Sequence, residues 1–534
     1  MAFTKAVQHR WFYQMYLDDL PIWGMVGELL PAGGSVVKKE KDDLERLDHL
    51  GDVPDEAASS LLPYIYTSRN LIISYNEDQI VKVDLTSDPK SLMEVKVGAA
   101  YKFTLFVSFV KANEEFHSRF DRYLDHEFFK HPIHWFSAFN SFTVFLTFMG
   151  LVALILLRTL KKDYARYGLV QDLEDGDQSA VDDEGKPLTG GNDDSGWKQV
   201  HGDVFRAPFL LPIFAALLGT GWQLVTLTLG VILYAVMGPL HGQVHEERGE
   251  VLHAILVCYS LSSIVSGYTS GQFFKQYYPT TARKNPASTS MWQATMALTV
   301  VMLPTVVVSI LSFLNAVSLS YGTINTIPFL VIVKLFLLWI FVSVPLCVVG
   351  TILGRHAKLV AASGKGGDHF PCRVNAIARP IPEDVPWYGK PSGLIPLAGL
   401  LSFGSIFIEL YYVLTSLWNY KFYHVYGFLL GVYCILTIVV STTSIIVVYF
   451  CLNAENYQWQ WTAYGSGAST ALYVFVYGIY YFFFKTQMNG FLQTSFYFGY
   501  MFLISLTLGI LCGTLGHAAA SRFVRAIFQN VKVD

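Results

Sequence analysis

An apolar run at residues 139–157 is followed directly by a cluster of basic side chains. A helix needs about 20 residues to cross the hydrocarbon core of a bilayer, which is the length of this run. The cluster consists of Arg158, Lys161, Lys162 and Arg166. Because lysine and arginine are retained on the cytoplasmic side of a membrane, the cluster also predicts the direction in which the run crosses.

The composition is typical of a membrane protein. Hydrophobic residues make up 52% of the chain and charged residues 15%, whereas soluble domains carry about 25% charged residues. The formal net charge is −3 and the sequence has no basic arm with interleaved aromatic residues, so we expect no nucleic-acid partner. None of the 6 cysteines precedes residue 131 and no two form a Cys-x-x-Cys pair, so we predict no structural zinc site and no cofactor.

Residues 1–130 alternate short apolar runs with turns. The runs at 71–75, 79–85, 93–98 and 101–110 are rich in β-branched and aromatic residues and show partial alternation. This pattern indicates β-strands. We therefore predict an N-terminal β-sandwich-like domain at 1–130.

Eight further apolar runs follow the first one, so the chain is predicted to be a polytopic α-helical membrane protein with nine transmembrane helices. The later runs lie at about 209–237, 251–272, 291–317, 327–353, 394–416, 424–452, 468–484 and 495–520. The predicted segments are a first transmembrane helix at 131–160, a partly disordered cytosolic loop at 161–208, an eight-helix bundle at 209–520 and a cytosolic tail at 521–534. The acidic stretch in that loop lacks the ligand spacing of an EF-hand.

The lysine and arginine residues outside the runs predict the orientation. With residues 1–130 in the lumen, nineteen of those that follow residue 130 fall in cytosolic segments and three in luminal loops. This asymmetry predicts a luminal N-terminus and a cytosolic C-terminus. The exception is 453–467, which is predicted to be cytosolic but has no basic residue.

Several stretches along the chain resemble one family. They are YLDDLPIWG, HPIHWFSAFNSF, RTLKKDYARY, WKQVHGDVFR, FPCRVNAIARPIP, LNAENYQWQWTA and KTQMNGFLQTSFYFGYMF. The sequence is identified by them as similar to the nonaspanins, the transmembrane 9 superfamily. The resemblance implies a signal peptide, a luminal N-terminal domain and nine spans in Golgi and endosomal membranes. No apolar signal core is present at the start of this chain, so we expect the luminal domain to be incomplete.

The C-terminal residues resemble the sorting signals of that family. Its members end in a Lys-x-Asp/Glu signal that the coatomer coat reads, and Lys532 and Asp534 match that signal here. Phe523 and Val524 resemble a family export signal. They lie beside the membrane, so a simple anchoring role is the alternative.

Two charged residues lie within the apolar runs. Lys334 is in the fifth run and Glu409 in the sixth, each near the predicted luminal side. Charges inside a membrane are costly and usually paired. We therefore predict a salt bridge between these two side chains. The alternative is a contribution to an ion pathway or to a polar contact with another membrane protein.

Small residues recur at the spacing of helix-packing motifs. Gly509 and Gly513 form such a pattern in the ninth run, and Gly467 and Ala471 a looser one in the eighth. Small residues let helices approach closely. Packing within the bundle is the first interpretation, and a surface that recognises glycine-rich helices of other membrane proteins is the second.

The motif at 197–206 contains His201, Asp203 and Arg206, residue types that also occur in catalytic sites. No nucleophile stands at a suitable spacing, so we interpret the motif as a cap at the membrane surface. His131 and His134 are too few for a metal site and are expected to pack at the interface. No hydrolase or transferase motif appears in the sequence, and we predict that the protein is not an enzyme.

The function that this sequence favours is the sorting and surface localisation of other membrane proteins. The resemblance implies that role, with coatomer and cargo membrane proteins as partners and the bilayer as surroundings. A transporter or channel for an ion or small molecule is the alternative, although no repeat of discontinuous helices is evident.

Overall fold

A computed structural model defines the fold. It describes residues 2–8, 11–18, 20–31, 61–96, 98–116, 119, scattered positions in 139–161, and then 197–237, 248–282, 291–323, 326–357, 370–372, 374–382, 385–418, 426–486, 488 and 490–529. The described residues before position 132 form one compact unit, and those after it form a second.

Strands dominate the N-terminal unit, as its alternating sequence predicts. The elements are α1 (Ala2–Gln8), β1 (Phe12–Leu17), β2 (Leu20–Met25), β3 (Gly27–Pro31), β4 (Leu61–Tyr66), β5 (Ser68–Asn76), β6 (Gln79–Ser87), β7 (Leu92–Glu94) and β8 (Thr104–Lys111). The described strands form sheets in the orders β1-β2, β3-β4-β7 and β6-β5-β8. The predicted N-terminal sheet region is thus confirmed.

The sheet β6-β5-β8 shows why this sequence forms strands. Alternate residues of β5, among them Leu71 and Ile73, are buried together with Val83 of β6. In the antiparallel register Ile73 lies opposite Val83 and Leu71 opposite Leu85. Strand β8 pairs with the other edge of β5 in parallel. One face of the sheet therefore carries the apolar side chains, which is the physical basis of the period of two.

Helices make up the second unit. They are α2 (Leu211–Met237), α3 (Arg248–Ala282), α4 (Met291–Ser320), α5 (Phe329–Leu338), α6 (Val344–His356), α7 (Pro391–Trp418), α8 (Tyr426–Asn453), α9 (Trp459–Ala468), α10 (Thr470–Lys485) and α11 (Phe491–Phe528). Among the described residues, 7 helices are long and apolar enough to cross a membrane. The polytopic helical class is confirmed, and the count of nine spans stays a prediction.

Two of the apolar spans are interrupted. A π-helical turn at Trp339–Ser343 separates α5 from α6, and Pro345 lies in the first turn of α6. Ser469 separates α9 from α10, and its hydroxyl donates to the carbonyl of Ile395, 2.8 Å away. The eighth span therefore begins at Trp459, earlier than the predicted 468.

The last helix, α11, occupies the middle of the second unit. It packs against α2, α4, α8, α9 and α10. It continues to Phe528, beyond the end predicted at 520. The reason is that Phe523, Val524 and Phe528 are buried, so the last turns are held by packing as well as by helical hydrogen bonds.

Helices α3 and α6 are in backbone contact. Gly267 and Gly271 of α3 face Gly350 and Gly354 of α6, and a Cβ atom at any of the four would meet backbone atoms of the other helix. At Gly271 the nearest of these is the carbonyl oxygen of Thr351, 2.7 Å away. Two Gly-x-x-x-Gly patterns thus form the closest type of helix crossing.

Candidate functional site at one end of the helix bundle

Four segments that are far apart in sequence meet at one end of the bundle. They are residues 197–206, residues 370–379, residues 455–461 and the last turns of α11. Their apolar side chains form one buried cluster that includes Val204, Phe205, Cys372, Trp459, Phe523, Val524 and Phe528. We call this assembly the cap.

Asp203 is the polar centre of the cap and is 3% exposed. Its Oδ1 accepts hydrogen bonds from the Arg206 guanidinium, and its Oδ2 accepts one from the backbone N–H of Arg379 at 3.2 Å. Arg206 also donates to the carbonyl of Asn375 at 3.0 Å. A buried carboxylate requires such partners because its desolvation is costly. Asp203 therefore ties the segment before α2 to the segment before α7.

Arg379 extends this network to the loop between α8 and α9. Its guanidinium donates to the carbonyl and the side-chain oxygen of Gln199 and forms an ion pair with Glu455, with 2.9 Å between Nη2 and Oε2. The side chains of Arg379 and Glu455 are 39% and 22% exposed. Pairs as exposed as this contribute about 0–1 kcal/mol, so the ion pair mainly fixes the position of the loop.

The start of α9 holds the chain that leads into α2. The indole of Trp459 donates to the carbonyl of Val204 at 2.8 Å, and the indole of Trp461 donates to the carbonyl of Phe209 at 2.8 Å. Gln460 donates to the carbonyl of Arg206 at 3.0 Å. Three consecutive side chains thus satisfy carbonyl groups that the irregular segment cannot satisfy by itself.

His517 of α11 lies below the cap and is 4% exposed. Its ring stacks on Trp459 with centroids 5.7 Å apart and an interplanar angle of 4°, and it forms T-shaped contacts with Phe214 and Phe273. Its Nε2 has no hydrogen-bond partner among the described residues. The aromatic contacts therefore hold the ring in place.

The sequence matches a known protein family over most of its length. The family model described as Endomembrane protein 70 matches residues 1–491. The chain belongs to the Endomembrane protein 70 family. "Transmembrane 9 superfamily member 3" of Arabidopsis thaliana is 33% identical over 538 residues, 100% of this chain and 81% of the relative. "Transmembrane 9 superfamily member 2" of Homo sapiens is 33% identical over 467 residues, 86% of this chain and 64% of the relative. No solved structure matches the chain.

In this member of the Endomembrane protein 70 family, the cap is built largely from stretches that carry the sequence resemblance. WKQVHGDVFR supplies the Asp203 network, FPCRVNAIARPIP supplies Asn375 and Arg379, and LNAENYQWQWTA supplies Glu455 and Trp459. His201, the third candidate of the first motif, contacts the carbonyl of Lys198 through Nδ1 at 3.0 Å. These hydrogen bonds are those of a structural cap.

Phe523 and Val524 are 8% and 0% exposed and belong to the apolar cluster of the cap. A coat protein could not reach these buried side chains, so their burial favours the anchoring interpretation over an export signal.

Burial also raises the pKa of the nearby Cys372 thiol, whose Sγ contacts the carbonyl of Phe528 at 3.8 Å. Lys532 and Asp534, like His131 and His134, lie outside the described residues.

The predicted pair of Lys334 and Glu409 is divided between helices α5 and α7. Lys334 is exposed, and the side chain of Glu409 lies outside the described part of the structure. The salt bridge therefore stays a proposal.

Gly509 and Gly513 pack within the bundle. A Cβ atom at Gly509 would lie 2.8 Å from the Cβ of Ala471, and one at Gly513 would meet the ring of Tyr464 at 2.9 Å. Gly467 faces the backbone of Cys512. The two small-residue patterns predicted from sequence thus face each other, so neither offers a free surface to another protein in this conformation.

Sequence reasoning missed the α3–α6 contact and the role of 453–467. The two Gly-x-x-x-Gly patterns at 267–271 and 350–354 were available as a signal for the first. For the second, the acidic Glu455 and the run of aromatic residues after it offered only a weak indication, because neither names Arg379 or Val204 as a partner.

Proposed function

We propose that the protein sorts other membrane proteins in Golgi and endosomal membranes. In this proposal the bundle binds the membrane helices of cargo laterally, and the tail residues Lys532 and Asp534 bind coatomer. The N-terminal unit is luminal and the cap is cytosolic. Membership of an endomembrane family supports the membrane setting.

The observation that carries the proposal is the position of α11. This helix packs against five others, and its last turns are buried in the cap. The tail signal follows shortly after Phe528, whose side chain is 0% exposed. A signal attached to the central helix through a packed cap is coupled mechanically to the part of the protein that would hold cargo.

Helix α5 and the π-helical turn after it form the surface that best suits cargo helices. Most of their side chains are exposed, including Phe329, Phe336 and Phe341. Association of helices in lipid depends on van der Waals packing, and a face of small residues lets a partner helix approach closely. A glycine-rich cargo helix has such a face, and we assign its binding to this surface.

Proximity labelling of the full-length chain in cells tests the coat contact. The double variant Lys532→Ala with Asp534→Ala is expected to lose labelling of coatomer and to leave the Golgi. Gln529→Ala, a substitution in the exposed residue just after α11, is the control and should behave as the unaltered protein. Equal labelling of coatomer by all three proteins would refute the role of the tail.

Crosslinking to a reporter with a glycine-rich membrane helix tests the cargo surface. Phe336→Ala should reduce both the crosslink and delivery of the reporter to the cell surface. Phe313→Ala removes an equally exposed aromatic side chain from α4 and serves as the control. If both variants reduce delivery alike, α5 has no special part in binding.

A transporter remains the second candidate because the fifth span is interrupted. The hydroxyl of Ser343, in the π-helical turn, is buried and has no partner among the described residues. Such turns are frequent at functional sites, and Lys334 lies on the same span. Ion or proton flux in liposomes that Lys334→Met abolishes would favour this candidate. Exchanging the charges at 334 and 409 should restore expression lost in either single variant if the two residues pair.

A further inference from the structure

A cavity of ≈ 450 Å³ opens in the N-terminal unit. Its walls are mainly apolar and aromatic, and one cation, Arg69, lies among them. Phe3, Phe103 and Leu105 are among the residues that line it. Pockets for small molecules commonly have volumes of about 300–1,000 Å³ and combine apolar walls with a few polar groups that fix the orientation of the ligand.

Arg69 is 9% exposed and is held by neutral groups. Its Nη1 donates to the hydroxyl of Ser87 at 2.8 Å, and its Nη2 donates to the carbonyl of Met25. The guanidinium also lies 4.7 Å from the ring centroid of Tyr13 and 5.6 Å from that of Tyr66. These contacts fix the position of the planar Arg69 guanidinium at the wall of the cavity.

No carboxylate forms an ion pair with Arg69 among the residues that the structure describes. The nearby carboxylate of Glu28 accepts a hydrogen bond from the Tyr66 hydroxyl. A buried cation without a counter-charge is costly, and arginine keeps its proton under all ordinary conditions. The two aromatic rings offset only part of this cost, since cation–π contacts contribute about 0.5–2 kcal/mol. The electrostatics of the cavity therefore favour an anion.

The arrangement also depends on a glycine. Tyr13 and Gly24 lie opposite each other in the β1-β2 pair, and a Cβ at Gly24 would collide with the Tyr13 ring. The ring can lie flat across the strand only because residue 24 has no side chain. In that position it forms both a wall of the cavity and a contact with Arg69.

We propose that this cavity binds an anionic amphiphile, a carboxylate or phosphate group on an apolar chain. The anionic group pairs with the guanidinium of Arg69, and the chain lies against Phe3, Phe103 and Leu105. Arginine presents paired N–H donors that match the oxygens of carboxylates and phosphates. A free acid and an anionic membrane lipid share this chemistry.

Equilibrium dialysis of radiolabelled decanoate against the full-length protein in phosphatidylcholine nanodiscs tests the proposal, with empty nanodiscs as the blank. Decanoate should bind at least tenfold more tightly than decanol. Arg69→Gln should remove this preference, whereas Lys82→Gln, at a partly exposed cation in the same unit, should preserve it. Equal binding of decanoate and decanol to the unaltered protein would overturn the proposal and leave Arg69 a purely structural residue.

A second variant tests the proposal independently, in case Arg69→Gln does not fold. Leu105 is 50% exposed on the wall of the cavity, so Leu105→Trp should fold normally and fill the space. It should weaken the binding of decanoate and decanol alike. Retained binding of both would place the ligand elsewhere and overturn the proposal. Nanodiscs that contain phosphatidylserine separate the two sources: loss of decanoate binding there identifies the lipid as occupant, and unchanged binding identifies the free acid.

Discussion

Gly271 of α3 lies against the backbone of α6, and Gly271→Ala tests whether this contact holds the fifth span in the bundle. The added Cβ would lie 2.7 Å from the carbonyl oxygen of Thr351, where ordinary contacts begin at 3.4 Å. The obstacle is a backbone atom of a helix, so no change of rotamer relieves the overlap. The two helices have to move apart by about the difference, 3.4 − 2.7 Å, roughly 0.7 Å.

The expected loss follows from two opposing effects. Overpacking of this kind costs about 1–3 kcal/mol. Replacing glycine by alanine inside a helix stabilises the folded chain by about 1 kcal/mol, because the backbone loses less freedom. Gly431→Ala in α8 is the matched control, since a Cβ there has nothing within 4 Å and only the second effect applies. The two variants should therefore differ by about 1–3 kcal/mol in stability.

Thermal unfolding of the full-length protein in detergent, followed by size-exclusion chromatography, measures this difference. Gly271→Ala should unfold a few degrees below Gly431→Ala, as expected for a difference of about 1–3 kcal/mol in a large chain. Unfolding of both variants at the same temperature would refute the reasoning, because it would show that α3 and α6 do not need their close approach.

Three further predictions concern the cap and its surroundings. Asp203→Asn should destabilise the protein by about 1–3 kcal/mol, because it weakens charged hydrogen bonds in a buried place; adding Arg206→Gln should recover part of the loss, and no recovery would argue against their pairing. His517→Phe should change stability by less than about 1 kcal/mol, since it removes an unpaired polar atom and keeps the stacking; a larger loss would reveal a partner for the ring. Alkylation of Cys372, followed by mass spectrometry, should be slow until the pH rises above the ordinary thiol pKa of about 8.5, because burial raises its pKa and keeps the thiol protonated. Phe528→Ala should uncover the thiol and move fast alkylation to lower pH, and an unchanged pH profile would contradict the burial.

The regular elements could be predicted because their signals are local. The run at 79–85 falls within β6 and that at 71–75 within β5, since alternation of apolar residues follows directly from the geometry of a strand. The apolar runs from residue 209 onward likewise correspond to helices of the second unit. The break at Ser469 could not be predicted, because the hydrogen bond of its hydroxyl is to Ile395, 74 residues away in sequence.

The contacts within the cap could not be predicted from the sequence either. The sequence predicted a membrane-surface cap at 197–206, but not what it would contact. Asp203 meets Arg379 176 residues further along the chain, and Trp459 meets Val204 across 255 residues. Contacts over such distances leave no periodic pattern in a single sequence. The burial of Phe523 and Val524, which sequence similarity to an export signal did not suggest, has the same origin.

The cap also bears on how many times the chain crosses the membrane. Segments 197–206 and 370–379 are in contact, so they lie at the same end of the bundle, and the number of crossings between them is even. Helices α2 and α4 and the span α5–α6 are three apolar crossings between these segments. We therefore expect helix α3 to be the fourth, although it does not belong to the 7 helices that apolar composition identifies. Its contacts agree, because Lys275 near its end donates to the carbonyl of Ala357 after α6 at 3.0 Å.

The same argument accounts for the loop that lacks basic residues. Within the cap, residues 455–461 follow α7 and α8 in the chain and contact the segment at 370–379, which precedes these two helices. The end of α11 joins the cap after two further apolar spans. The loop is therefore at the basic end of the bundle without carrying a basic residue itself. Charge bias acts on segments as they are inserted, whereas this loop is held by Glu455 on Arg379 and by Trp459 on Val204. In the part of the chain described from residue 197 onward, these contacts therefore favour eight crossings, one more than apolar composition alone identifies.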